Sequence, residues 1–361
     1  MKLLLILLLL SFTIKITAKT SKKIKNKVME DTDNFVFIPG LAYSTSDGIK
    51  VNGTGLYYDK SNSISFPNSF RTNISYGSQN EFSFGLGTKR YFFNQKYKIS
   101  SYFTTGRYPS TLYYPLGGKK NKKEKESFLS SNNYFGFSIG KRKYKYFYLG
   151  IAYNFAYYKI TEKKENGIID NNKIIGSENT IASGIGFYII REKRNNSYYP
   201  TKGYYIYCNN YIYPTFIGSN TFYDTSAISF KYFHSFYKIT IAFQVYTRAV
   251  FGNAPFQKYS QLGGSGLLRG YSSYKYIDRR YFATQLEIRY PVFWRISGTA
   301  FLGTAQVTNS FLNYFDYPWK LAGGLGFRFR LDKKQNINFR LDIAWNIEGE
   351  MHIYITSLEA F

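Results

Sequence analysis

Ile337-Asn-Phe-Arg-Leu-Asp-Ile-Ala-Trp-Asn-Ile347 is a stretch with two unlike faces. Ile337, Phe339, Leu341, Ile343, Trp345 and Ile347 fall on one side of an extended chain, because side chains alternate every residue in a strand. Asn338, Arg340, Asp342, Ala344 and Asn346 fall on the other. The same alternation recurs upstream. Leu325, Phe327, Phe329 and Leu331 oppose Gly324, Gly326, Arg328 and Arg330; Ile239, Ile241, Phe243 and Val245 oppose Thr240, Gln244, Tyr246 and Arg248; Leu286 and Ile288 oppose Gln285, Glu287 and Arg289. A soluble sandwich also alternates. These strands, however, run to about ten residues, the length that crosses a bilayer when tilted. Their polar faces carry Arg, Asp, Gln and Gly, which suits a wet lumen better than a dry core. Adjacent aromatics at strand ends (Tyr57-Tyr58, Tyr91-Phe92-Phe93, Tyr157-Tyr158, Tyr198-Tyr199, Tyr204-Tyr205) read as interfacial girdles.

Working outward, the alternation predicts sixteen strands, near 35–45, 49–58, 70–78, 81–92, 97–108, 131–142, 145–160, 177–191, 203–214, 222–234, 238–250, 280–290, 295–307, 319–331, 336–347 and 350–360. The expected fold is an all-β, transmembrane antiparallel barrel with a long loop folded into its lumen. The longest connections, 109–130, 161–176 and 251–279, follow odd-numbered strands, whereas most even-numbered ones are tight. That asymmetry places the short turns and both termini in the periplasm of a bacterial outer membrane.

The first residues read as an address. Met1-Lys2 precedes an apolar core from Leu3 to Phe12, and Ile16-Thr17-Ala18 offers a cleavage site, so residues 1–18 are expected to be a signal peptide. Residues 19–34 are rich in Lys and Asp without periodicity, as in a disordered periplasmic tether, and residues 35–361 form the barrel domain.

Composition agrees with a barrel wall. Aromatics make up 20% of 361 residues while the charged fraction is 19%, and past the leader no run is long and apolar enough for a spanning helix. The net charge of +26 fits either contact with an anionic surface or a general bias toward Lys, Asn, Ile and Tyr. The run Lys119-Lys-Asn-Lys-Lys-Glu-Lys-Glu126 has the same two readings, attraction to outer-leaflet phosphates and sugars or a solvated loop. Nucleic acid is not an expected partner, since the lysines form no continuous stripe. A single cysteine, Cys208, excludes disulfides and Cys-based zinc sites. With only His234 and His352, and no Ser or Asp recognisably set beside either, no enzyme activity, metal or cofactor is expected.

One segment breaks the strand pattern. Gln261-Leu-Gly-Gly-Ser-Gly-Leu-Leu-Arg269-Gly270-Tyr271 is glycine-rich, and after it come Glu287, Arg289 and Pro291 in the next strand. This resembles the BamA/TamA superfamily of outer-membrane barrels, the bacterial surface antigen family, whose members carry a (V/L)RG(F/Y) loop tip and a following E-x-R strand. Leu268, Arg269, Gly270 and Tyr271 match the tip. Tyr199-Pro-Thr-Lys-Gly203 resembles the family's periplasmic turn, and Ile38-Pro-Gly-Leu-Ala-Tyr43 with Asp47-Gly48 its first hairpin. Ile353 and Ile355 followed by Phe361 resemble the C-terminal signal read by barrel-assembly machinery. A guanidinium inside a barrel needs a carboxylate, and Glu287 points lumenward by alternation, so Arg269 is expected to pair with Glu287.

Two departures stand out. Where the family has F-x-D-x-G, this chain reads Phe301-Leu-Gly303-Thr-Ala305, so a carboxylate is missing and the loop is expected to be held less firmly. Nothing from Lys19 to Asn34 could form the family's periplasmic docking (POTRA) domains. The resemblance implies insertion or translocation of proteins, or envelope assembly, in contact with outer-membrane lipid and with a separate periplasmic partner. The implied device is a weak first–last seam that opens sideways, helped by Gly53 and Gly55. The alternative is a passive or structural barrel whose Arg248, Arg328, Arg330 and Arg340 favour anions.

Overall fold

The computed structural model describes residues 35–44, 48–58, 68–118, 124–171, 174–272, 275–332 and 336–361. The chain divides into Met1–Val36 and Phe37–Phe361. The expected signal peptide and tether lie outside the described residues, as do Lys119 to Lys123.

The strands are β1 Phe35–Ser44, β2 Gly48–Tyr58, β3 Ser69–Gly77, β4 Phe82–Phe92, β5 Tyr97–Tyr114, β6 Glu124–Tyr144, β7 Phe147–Glu162, β8 Thr180–Glu192, β9 Gly203–Tyr213, β10 Tyr223–Phe236 and β11 Ile239–Gly252. After a long connection come β14 Arg280–Phe293, β15 Ile296–Thr308, β16 Lys320–Asp332, β17 Ile337–Asn346 and β18 Met351–Ser357. These close into one antiparallel barrel of sixteen strands, with β18 hydrogen-bonded to β1. The two-residue strands β12 Ser260–Gln261 and β13 Ile277–Asp278 pair with each other inside the long connection.

Burial is inverted relative to a soluble sheet. On β17, Arg340 and Asp342 are 3% and 0% exposed, whereas Trp345 is 48% exposed. Apolar side chains face outward and polar ones inward, which is stable only when the exterior meets hydrocarbon. The protein is therefore a membrane-spanning β-barrel. Phe92, Phe93, Tyr144, Phe236, Tyr237, Phe293 and Trp294 cluster at or beside the short turns and are exposed there, as an interfacial girdle requires.

Three expectations need correction. Adjacent aromatics within a strand cannot both belong to a girdle, because the period of two sends one to each face; Phe92-Phe93, Phe236-Tyr237 and Phe293-Trp294 do so because the second residue of each lies in the turn. Tyr57 is exposed while Tyr58 is buried, and Tyr158 and Tyr205 pack inside with other tyrosines. The supposed 109–130 loop is mostly strand: β5 and β6 stay paired from Tyr97↔Lys141 to Tyr114↔Glu124. Its core explains this, because Leu112 and Phe128 pack with Ile169, Phe256 and Ile277 of the neighbouring loops. Finally, β18 ends at Ser357 and does not run to 360. Leu358 turns with φ +65, and Phe361 lies buried against Phe233 and Ala242 of the far wall. Ile353 and Ile355 do alternate on β18 with lumen-facing Tyr354, but Phe361 does not continue their strand.

Candidate functional site

The connection from Gly252 to Arg280 returns into the barrel and buries its tip. Leu268, Arg269 and Tyr271 are each 1% exposed. Leu262, Leu268, Tyr271 and Tyr276 form an apolar cluster with Tyr281, Ala283, Ala305, Val307 and Ala322 of the wall. The tip can lie this close because Gly270 has φ +108, and a Cβ there would come within 3.2 Å of Ala322 Cβ and 3.3 Å of the Trp345 carbonyl carbon.

Arg269 is fixed from three directions. Its Nη2 donates to Glu287 Oε2 at 2.7 Å, as the alternation predicts. Its Nη1 donates to Asp342 Oδ2, also at 2.7 Å. The Phe301 ring lies beneath the guanidinium at 3.4 Å. Asp342 therefore supplies the second carboxylate that Gly303 cannot, from β17 instead of β15. The reason for the exchange is steric: a Cβ on Gly303 would sit 3.0 Å from Leu268 Cδ1 and 3.2 Å from Gln285 Cβ. Leu268 occupies the space that an aspartate side chain would need. The expectation of a loosely held loop is thus overturned.

The network spreads along the wall. Arg289 Nε donates to Glu287 Oε1 at 2.7 Å and Arg328 Nη1 to Asp342 Oδ1 at 2.6 Å. Arg328 Nε reaches Glu359 Oε2 of the C-terminal tail at 2.8 Å. Arg289 donates through Nη1 to the Pro200 carbonyl and through Nη2 to that of Phe361, both at 3.2 Å. Arg340 Nη2 holds the Ser265 carbonyl at 3.1 Å. Glu287, Asp342 and Glu359 thus offset three of the four guanidiniums in this buried cluster, where an unpaired charge is costly, and Arg340 is held chiefly by the loop carbonyl. The tail turns inward because Glu359 and Phe361 complete this cluster, a signal that strand alternation could not give.

Arg328 and Arg340 are consequently clamps on the loop and tail, not free lumenal charges. Arg248 holds the loop carbonyl of Lys258 at 2.7 Å, and Arg330 stacks over Tyr199 at 5.0 Å. Arg328 and Arg340 therefore do not serve as the open anion lining expected of them, whereas Arg248 and Arg330 remain partly exposed.

At the outer end, Lys275 of the loop bridges Glu348 and Glu350 of the β17–β18 turn, 2.6 Å from each. Tyr276 donates to Glu348 at 2.7 Å. Burial works to raise the Glu350 carboxyl, but contacts with His352, Lys275 and Asn346 outweigh it and hold the group at about 2. Glu348 is also lowered: Lys275 and Tyr276 overcome its burial. Of the two histidines, exposed His234 lies on the same face of β10 as Ile228 and Tyr232, whereas His352 lies inside, 3.8 Å from Glu350. No group of three or more potential metal ligands occurs among the described residues.

Residues 62–350 match the model of the Omp85 superfamily domain. BamA from Haemophilus ducreyi, in a crystal structure lacking POTRA domains 1–3, has a similar fold with TM-score 0.58 at 14% identity, covering 91% of this chain and 71% of that one. CdiB from Escherichia coli gives TM-score 0.61 at 9% identity, with coverage of 91% and 63%. CdiB from Acinetobacter baumannii gives 0.57 at 7%, with coverage of 91% and 60%. The chain thus spans less than two thirds of either CdiB chain. No curated protein sequence matches it.

Proposed function

The chain belongs to the Omp85 superfamily, and from that premise we propose that it inserts or translocates proteins at the outer membrane by opening sideways between β1 and β18. The observation that carries this reading is the brevity of that seam. Among the described residues only four pairs join β1 to β18, from Leu41↔Ile355 to Ser44↔His352, whereas eighteen join β5 to β6. Each rung parted in hydrocarbon leaves backbone groups unsatisfied, so a seam of four pairs is far less costly to open than one of eighteen. The freed edges would present unpaired donors and acceptors as a template for an incoming strand. The loop network favours this reading too. It ties Arg269 to β14 and β17, so β14 to β17 stay rigid while the weak seam beside them parts.

No step is chemical: the protein acts as a template and not as an enzyme, and client delivery falls to a separate periplasmic partner. The test is a disulfide between Leu41→Cys and Ile355→Cys, a directly paired position. Oxidised protein in proteoliposomes should lose insertion of an unfolded barrel client, and reduction should restore it. Equal insertion in both redox states would refute the lateral-opening mechanism.

A further inference from the structure

A cavity of about 390 Å³ lies inside the barrel at its periplasmic end, and Arg71, Lys89, Lys98 and Arg194 all line it. Glu192 is the one carboxylate in that lining, and Arg194 already occupies both its oxygens, at 2.7 Å each. Arg71, Lys89 and Lys98 therefore face the same space without an anionic partner among the described residues. Register puts them there. Tyr91 lies directly opposite Lys98 and Ser100 directly opposite Lys89, so the two lysines are diagonal neighbours on one face of β4 and β5. Arg71 on β3 lies opposite Gly87, which has no side chain to fill the gap. Each lysine feels Glu192 and Arg194, and Lys98 is repelled by Lys89. Like charges in a confined volume repel one another unless an anion joins them.

We propose that this cavity binds a phosphate-bearing anion with more than one negative charge. Three cations from three strands converge on one volume, which suits an ion that accepts from several directions at once. Lysine is a point-charge binder of phosphate, and Arg71 adds a planar fork. Tyr91, Tyr148 and Tyr205 bring phenol groups to the same wall. The volume is at the lower end of small-ligand sites and exceeds that of one phosphate, leaving room for a second phosphate or for the glycerol of a lipid headgroup.

The full chain in nanodiscs of zwitterionic lipid would be titrated calorimetrically with inorganic pyrophosphate and, separately, with a short-chain phosphatidylglycerol. Wild type is expected to bind at least one probe. Lys89→Gln with Lys98→Gln should weaken that binding by at least about tenfold, and Lys145→Gln, in an exposed turn, should not. Lys89→Arg with Lys98→Arg should retain it. Tighter binding of the lipid probe would identify a headgroup as the source, and tighter binding of pyrophosphate a free phosphate compound. Heat-shifted migration on gels checks that each variant is folded; if the Gln pair is not, Lys98→Gln alone should weaken binding by about threefold. No binding of either probe, or equal binding by folded wild type and Gln variants, would overturn the proposal.

Discussion

Glu287 carries the heaviest local load, because two guanidiniums, those of Arg269 and Arg289, each lie 2.7 Å from it in a site where all three side chains are fully buried. Glu287→Gln keeps the shape and removes the charge, leaving Arg269 with Asp342 as its sole paired carboxylate among the described residues and Arg289 with the Glu359 carboxylate 3.9 Å away. Such a change should cost about 3–5 kcal/mol, read as a lowered denaturant midpoint for the barrel in lipid vesicles. A smaller cost, near that of a surface ion pair, would mean that water reaches the site. Gly303 tests the other half of the argument. Gly303→Asp restores the family's carboxylate, yet it must displace Leu268 Cδ1, only 3.0 Å from the new Cβ. It should destabilise by about 1–3 kcal/mol. Leu268→Ala in the same chain should recover at least about half of that by making room, and the coupling is measured by a double-mutant cycle. Sequence alone paired Arg269 with Glu287 because strand parity says which residues face inward. Parity also turned Asp342 inward, but not toward Arg269, since that meeting requires the barrel to close β14 against β15, β16 and β17 in register.

Among elements, the re-entrant loop is held at both ends by different chemistry. Its tip sits in a dry arginine–carboxylate cluster. Its outer end is tied by Lys275 to Glu348 and Glu350, which are only partly buried. The two carboxyls are held below their ordinary value of about 4.5, Glu350 at about 2. A depressed carboxyl contributes stability that is fully present above the unfolded value and lost as pH falls through the folded one. The outer tie should therefore weaken between about pH 4.5 and pH 2, whereas neutral and mildly alkaline solutions leave it intact. Labelling of a cysteine placed at Ser272 would follow this loosening, sampled by acid exposure and a brief return to neutral pH. Lys275→Gln should raise labelling at pH 7 already. Flat labelling from pH 6 to pH 2 would show that the tie does not hold the loop. This attachment was not legible beforehand, because Glu348 and Glu350 lie in a four-residue turn with no motif to mark them. Strand limits were legible almost throughout, for alternation is a local property. The exceptions, β5–β6 and the end of β18, are those where a partner from elsewhere in the barrel decided the outcome.

On the scale of the whole molecule, the lumen is divided by charge as well as by filling. The loop side holds Arg269, Arg289, Arg328 and Arg340 against Glu287, Asp342 and Glu359, whose side chains are all buried. The other side exposes Lys89, and Tyr102 is 46% exposed on the lumenal face of β5. Deleting residues 262–273 removes Arg269, so that three guanidiniums face three carboxylates and the loop side becomes neutral. Arg71, Lys89 and Lys98 then set the sign of the field in the opened pore. Sixteen strands enclose an aqueous channel when nothing fills them. The deleted protein should give larger single-channel steps in planar bilayers than wild type. Its reversal potential in a salt gradient should shift toward that of the anion, and Lys89→Gln with Lys98→Gln should reduce the shift. Unchanged conductance would mean that the rest of the 253–279 connection still closes the barrel. A pore selective for cations would show that Glu287, Asp342 and Glu359, once stripped of Arg269, outweigh the lysines across the lumen.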